Sequence, residues 1–344
     1  MSAPLFIIGT ERSGSNLLRL VLDAHPHLFV PHPPHVMHFF GPLEARYGDL
    51  SRDPALRRLA ADVLRLVEGH IHRWDFVPSV DDVVARAPTR DLFGVTAGLY
   101  EAARHHAGKP RWGNKSTFMV HHAERVLRAY PAARFLWLVR DPRDVAVSSR
   151  ESVFSPFHPL RTATLWARQQ AEGARLERDR PDHVLRVHYE ALVGDPTATV
   201  ARICAFLGEE PDPAMLAFHR RPAAKRSAGL SESWARTGQP IMANRVGRWE
   251  GALSARELAQ VEVTAAEPMR LLGYDRQTDA GPEVLPGPLG EARVEVRDRL
   301  DWLRVEARSL RRDRNVWQRW GRWALMRRIA AERALEAGSP TGPR

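Results

Sequence analysis

The chain opens on a short β-branched apolar run, residues 4–9 (PLFIIG), which reads as a buried strand. A Gly-Ser turn follows, and then apolar positions at the helical spacing Leu17, Leu18, Val21, Leu22. A second apolar run, residues 134–139 (RFLWLV), passes into Arg-Asp-Pro-Arg-Asp and a helix through Ser149. Residues 184–188 read as a third strand, followed by a helix over 196–207. A brief strand is expected over 110–113, with a helix over 117–129. Residues 43–107 read as several helices broken near Pro54, Pro78 and Pro88. Residues 31–42 are crowded with proline and histidine and read as loop. Ser254, with Glu257 three residues on, is a capping-box opening for a helix over 254–271. Strands alternating with helices imply an α/β fold, a parallel sheet flanked by helices in three layers. Right-handed crossovers then bring the loops after the strands to one edge, where ligands bind.

Composition refines this picture. The 344 residues are 44% hydrophobic and 27% charged, which excludes disorder over most of the length. A single cysteine, Cys204, excludes a disulfide framework and a multi-cysteine zinc site. No apolar run approaches the roughly 20 residues of a membrane span. The opening has neither a basic leader nor a cleavage site, so the expected location is cytoplasmic. The net charge of +10 comes from 48 arginines and only three lysines, Lys109, Lys115 and Lys225, against 41 acidic residues, and points to an anionic partner. Three units are expected: a main domain over 1–276, a Pro/Gly-rich linker over 277–290, and a basic helical extension over 291–344. Residues 291–335 carry 13 arginines, seven acidic residues and four tryptophans, Trp302, Trp317, Trp320 and Trp323. Such a segment suits packing on the main domain, self-association, or a peripheral contact with an anionic membrane surface. No nucleic-acid motif accompanies it.

The chemistry concentrates at two strand–loop–helix junctions. Residues 9–16 (GTERSGSN) have the Gly-x-x-x-x-Gly spacing of a phosphate loop. Ser15 stands where a nucleoside-triphosphatase has its lysine, and Asn16 where it has the magnesium-binding hydroxyl; Arg12 supplies cationic charge from within the loop. The pattern suits a phosphate or sulfate held without a triphosphate's magnesium machinery. At the second junction Arg140 ends the apolar run and Ser148 lies two helical turns on. A guanidinium grips phosphate through a charged fork. Asp141, Arg143 and Asp144 read as helix-start residues, with Asp144 complementing the helix dipole, and Trp249 reads as packing.

TERSGSNLLRLVLDAHP and FLWLVRDPRDVAVSS together resemble the 5′-phosphosulfate and 3′-phosphate motifs of sulfotransferases that use 3′-phosphoadenosine-5′-phosphosulfate (PAPS). Residues 187–208 and 244–254 (NRVGRWEGALS) resemble two further segments of that family, and the pattern is most like its tyrosylprotein and carbohydrate branches. The resemblance implies a P-loop-like fold and sulfuryl transfer from PAPS to a hydroxyl of a sugar, lipid or small metabolite, without a metal. It assigns Arg12, Ser13, Gly14, Ser15 and Asn16 to the phosphosulfate. Arg140 and Ser148 fall to the 3′-phosphate and Tyr189 to the adenine, while Arg245 and Arg248 lie in the segment that closes over the nucleotide, where one of the two is expected at the 3′-phosphate. Lys115, in WGNKSTF, resembles the lysine that contacts the transferring group. The tyrosylprotein branch carries a glutamate pair after the first helix. Here His32 and Pro33 occupy that register, so the general base is sought first at His32, then at His35, with His38 also a candidate. The irregular histidine spacing, without an interleaved carboxylate, argues against zinc. Two other readings stay open: an atypical P-loop kinase, and a non-catalytic, membrane-associated nucleotide-binding protein.

Overall fold

The computed structural model describes residues 3–152, 156–230, 232–313 and 315–338. Five parallel strands, β1 (Leu5–Gly9), β2 (Leu28–Phe29), β3 (Arg111–Asn114), β4 (Arg134–Val139) and β5 (Val184–His188), lie in the order β2-β3-β1-β4-β5. β1 pairs with β4 from Leu5↔Arg134 to Gly9↔Leu138. The period-two alternation of a strand divides their side chains between two cores. Phe6, Ile8, Phe135, Trp137 and Val139 face one, and Leu5, Ile7, Leu136, Leu138 and Val187 the other. Helices Asp53–Glu68 and Leu92–His106 cover the first face, and Ser15–Asp23 and Pro196–Leu207 the second. The chain leaves β1 toward β2 and β3, then crosses back to β4. That reversal places a topological switch point at the end of β1.

Helix Pro159–Asp179 supports this point, although its segment carries no motif. Its Gln170 accepts from Trp137 Nε1 (2.7 Å) and donates to Thr10 Oγ1 (2.9 Å), and Trp166 Nε1 donates to the Arg140 carbonyl (2.9 Å). One helix thus fixes the ends of both motif strands.

Several local expectations change. Residues 31–42 are not all loop: helix Val36–Phe40 forms between the prolines, since proline obstructs a helix only at and before its own position. The breaks expected near Pro54, Pro78 and Pro88 are present, and Pro54 sits at the start of Asp53–Glu68, just after the first of them. The helix opened by Ser254 has its capping box, but it splits into Ala255–Thr264 and Ala266–Leu272. Pro268 has no amide to donate to Thr264, four residues back. Residues 117–129 divide into a 3₁₀ turn, Thr117–His122, and helix Ala123–Ala129. Among the described residues no helix is long and apolar enough to cross a membrane.

From residue 288, three residues before the expected start of the extension, the chain forms two long helices, Pro288–Arg312 and Asn315–Gly338. The second folds back onto the first core, with Ile329 fully buried there. Arg46 donates to the Ala330 carbonyl (2.9 Å), Arg65 pairs with Glu332 (2.9 Å), and Arg333 approaches Asp62 (3.4 Å). The first is pinned by Asp298, which accepts from the Phe157 and His158 amides at 2.8 and 2.7 Å. Outward faces remain: Trp317 and Trp323 are 65% and 62% exposed.

Candidate functional site

All five strand ends deliver a candidate residue. β1 leads to Arg12, β2 to His32, β3 to Lys115, β4 to Arg140 and β5 to Tyr189. These residues line one cavity of about 1230 Å³, together with Gly14, Ser15, Asn16, Ser148, Arg245, Arg248 and the histidines His35 and His38. Among the described candidates Ser13 is the exception: it is fully buried beneath the loop rather than on the cavity wall.

The loop after β1 has an unusual backbone. Arg12 (φ 68°) and Gly14 (φ 91°) are both left-handed, a conformation that costs a non-glycine residue about 1 kcal/mol or more. Gly14 cannot carry a side chain, because a Cβ there would lie 2.5 Å from the Tyr189 ring. Arg12 is held in place from outside. Arg140 Nη1 donates to its carbonyl (2.9 Å), and Arg12 Nε donates to Ser148 Oγ (3.3 Å). The phosphate loop and the second junction are therefore bonded directly to each other. Arg140 Nη2 also donates to the Arg245 carbonyl (2.6 Å), and its guanidinium lies over the Tyr189 ring at 4.3 Å.

Asp144 does more than complement a helix dipole. Buried beside Arg140 (3.7 Å), it accepts from the Gly247 and Trp249 amides (2.9 and 3.1 Å), which fixes the segment carrying Arg245 and Arg248. Both arginines pair with Glu151, Arg248 at 2.6 Å and Arg245 at 3.3 Å. The helix-start reading suits Asp141, whose carboxylate caps through the Arg143 amide (2.8 Å), and Trp249 packs under the Arg143 guanidinium (4.1 Å).

Lys115, after β3, is half-buried, and burial lowers its pKa to about 8 even though Glu11 opposes the shift. Its neighbour Ser116 is 3.1 Å from His35 Nδ1, so β3 positions both the lysine and a histidine. His32 sits among the rings of His70, His72 and Trp234 at 4.7–5.1 Å, with both ring nitrogens sealed and unpartnered. Burial pushes the pKa values of His32 and His35 well below the ordinary histidine range, and Lys115 adds to both effects. His38 stacks on Phe118 at 4.2 Å.

Several wall residues escaped the sequence reading. Glu11 lies inside the phosphate loop, and its charge opposes Lys115, Arg12 and His38. The basic extension contributes Trp302, Glu306, Arg319, Trp320, Arg322 and Trp323 to the wall. The three-residue spacing of Arg319/Arg322 and Trp320/Trp323 was the available signal, because it places each pair on one helix face.

The arrangement suits an anion. Polar atoms of Arg140 (Nε), Asn16 (Nδ2) and Ser13 (Oγ) are buried without partners around the loop, and buried donors are normally bonded. Among the described residues, the one cluster spaced for a metal is His25, His27 and Glu209, away from this wall. Both ring nitrogens of His25 already serve backbone groups, the His27 amide and the Glu210 carbonyl.

Residues 4–213 match a family profile described as the sulfotransferase family. The chain is 26% identical over 281 residues to protein-tyrosine sulfotransferase A of Caenorhabditis elegans, covering 79% of this chain and 67% of that protein. It is 29% identical over 141 residues to human carbohydrate sulfotransferase 2, covering 38% of this chain and 25% of that one. Among solved structures, the sulfotransferase domain of the Synechococcus PCC 7002 olefin synthase superposes with a TM-score of 0.55 at 21% identity. That match covers 80% of this chain and 97% of the domain, a likeness of fold.

Proposed function

The chain belongs to the sulfotransferase family, and on that premise we propose that it moves the sulfuryl group of 3′-phosphoadenosine-5′-phosphosulfate to an acceptor hydroxyl in the cavity described above. The observation that carries this reading is the direct bonding of the two anion-binding junctions, Arg140 to the Arg12 carbonyl and Arg12 to Ser148, on the wall of a single cavity that Lys115 and His35 also line.

In this reading the loop amides and Arg12 hold the 5′-phosphosulfate. Arg140, Ser148, Arg245 and Arg248 hold the 3′-phosphate, which displaces Glu151 from the last two. Tyr189, already stacked under a guanidinium, borders the adenine. Sulfuryl transfer, like phosphoryl transfer, depends mainly on positioning and on charge stabilisation. Lys115 faces the negative charge that develops on the sulfuryl and bridging oxygens. His35 is the general base. Ser116 engages its Nδ1 and leaves Nε2 to take the acceptor's proton, whereas both nitrogens of His32 are sealed. The anionic donor opposes the shift that holds His35 low, so donor binding raises its basicity toward neutral pH.

A thermal-shift comparison tests the assignment. Adenosine 3′,5′-bisphosphate should stabilise the protein without added metal, and more strongly than ATP with magnesium. Stronger stabilisation by magnesium-ATP would favour the kinase reading instead. Equal stabilisation by bisphosphate with no turnover of any acceptor would indicate a binding protein. His35→Gln should reduce turnover about 10²-fold while leaving bisphosphate stabilisation intact; turnover within two-fold of the parent would shift the base elsewhere.

The relatives act on tyrosine-containing proteins or carbohydrates by their names. A hydroxyl-bearing small molecule, glycan or lipid remains the acceptor class for this chain.

A further inference from the structure

The charges lining the cavity do not balance locally, and the imbalance is concentrated at one residue. Arg319 pairs with Glu306 (2.6 Å), Arg245 and Arg248 with Glu151, and Arg140 with two carbonyls and Asp144. Arg12 and Lys115 belong to the donor's transferring end. Arg236 is exposed, where water serves it. Arg322 is different. It is half-buried on the helix Asn315–Gly338, its guanidinium lies over the Phe39 ring at 4.8 Å, and among the described residues it has no hydrogen-bond or ion-pair partner.

Glu11, on the same wall, acts on Arg322 through its charge but makes no hydrogen bond or ion pair with it among the described residues. A guanidinium withdrawn from water with no bonded anion is costly, and a cation over an aromatic face recovers only part of that cost. Such a residue fits a ligand that brings the anion. The donor does not need it, because both of its anionic ends are already matched by cations. The surroundings describe the rest of the ligand: Phe39, Phe118, Trp320 and Trp323 make the adjoining wall aromatic.

On the reading of the site given above, we infer that Arg322 recognises an acidic group on the acceptor, so that the substrate is a hydroxy compound with an apolar or aromatic body and a carboxylate or phosphate ester. The helix carrying Arg322 lies outside the part of the chain that matches the family profile, so this recognition belongs to the extension and not to the shared core. It also connects to the chemistry. After Lys115, Arg322 is the cation that contributes most to holding His35 low. An anion seated on Arg322 cancels that field and makes His35 more basic when the acceptor arrives.

The test uses the full chain saturated with adenosine 3′,5′-bisphosphate and matched probes. These are para-hydroxyphenylacetate with its carboxamide, omega-hydroxydecanoate with its carboxamide, and phenyl phosphate with phenol. In at least one pair the acidic member should bind about 10-fold more tightly than the neutral one, and the pair that responds separates a carboxylate from a phosphate ester. Arg322→Gln should abolish the preference while leaving bisphosphate binding unchanged, and Arg322→Lys should keep part of it. Arg322→Gln should also raise the melting temperature of the ligand-free protein, because an unmatched charge is removed. Equal binding of acid and neutral members in every pair overturns the inference. So does a preference that survives in Arg322→Gln, or a lower melting temperature of that variant. Failure of the bisphosphate to bind the parent protein would remove the sulfotransferase reading and this inference together. Bisphosphate binding without acid preference removes this inference alone.

Discussion

Lys115→Met loses about 10³-fold in turnover, while adenosine 3′,5′-bisphosphate binds within a few-fold of the parent. The separation follows from where the lysine stands. It follows β3, which flanks β1 on the side opposite β4 and Arg140, and on the reading proposed above it serves the sulfuryl group, which the bisphosphate lacks. Its charge therefore matters in the transition state and little for the product nucleotide. Burial has already lowered its pKa to about 8. The protonated form is the useful one, so activity in the free enzyme should fall as pH rises through that value. Toward acid, activity should fall only well below the ordinary histidine pKa, since His35 must be neutral to act and its pKa is depressed. A bell-shaped profile results. Lys115→Arg should retain some turnover and lose the alkaline limb, because a guanidinium does not titrate there. A second consequence is thermodynamic. A cation whose pKa is lowered on folding destabilises the folded state while it is charged, so Lys115→Met should melt higher than the parent at neutral pH. Parallel losses of turnover and nucleotide binding, or a lower melting point, would assign the residue to structure.

Arg140→Ala should weaken bisphosphate binding about 10²- to 10³-fold and cost about 2–3 kcal/mol of stability. The two losses have different origins. Binding loses the charged fork. Stability falls because the Arg12 and Arg245 carbonyls lose their donor, the left-handed Arg12 is no longer held, and buried Asp144 loses its neighbouring cation. Burial already raises the Asp144 pKa, with Arg140 opposing the rise. Without the arginine that pKa climbs further. The folded state then binds a proton more readily than the unfolded chain does, and its stability deficit shrinks as pH falls through the raised pKa. Arg140→Lys keeps a charge near Asp144 but cannot serve two carbonyls and a phosphate together, so it should restore stability more than affinity. Equal melting curves for parent and alanine variant at neutral pH would show that Arg140 is not a structural tie.

The parts of the molecule legible from sequence are those in which local pattern and tertiary role coincide. The expected spans 134–139 and 184–188 match β4 and β5: in β4 the unbroken apolar run FLWLV suits a strand covered on both sides, and in the edge strand β5 the β-branched and apolar residues Val184, Leu185 and Val187 mark the strand around Arg186. The phosphate loop was legible because its glycines stand where the backbone must be left-handed or approach a neighbour closely, as at Gly14 beneath Tyr189. β2 was not legible: two residues, Leu28–Phe29, carry no periodicity, and only pairing with β3 makes them a strand. The supporting role of Gln170 and Trp166 was hidden for a related reason. Their partners, Thr10, Trp137 and the Arg140 carbonyl, lie far away in sequence. The extension was read as basic and amphipathic, and its apolar stripe Leu325, Met326, Ile329 and Ala330 packs on the first core; which surface receives that stripe was not legible, because the contacts that fix it, such as Arg65–Glu332, join residues far apart in sequence.

The position of that seat in the chain affects how the enzyme matures. Chains emerge from the ribosome at roughly 5–20 residues per second, N-terminal parts first. All five strands and the phosphate loop are out by residue 188, while Arg322 and the tryptophans beside it follow much later. On the readings proposed above, a nascent or proteolytically clipped chain acquires the nucleotide cradle before it acquires the acceptor wall, and a half-made enzyme would hold the donor without the surface that selects what receives the sulfate.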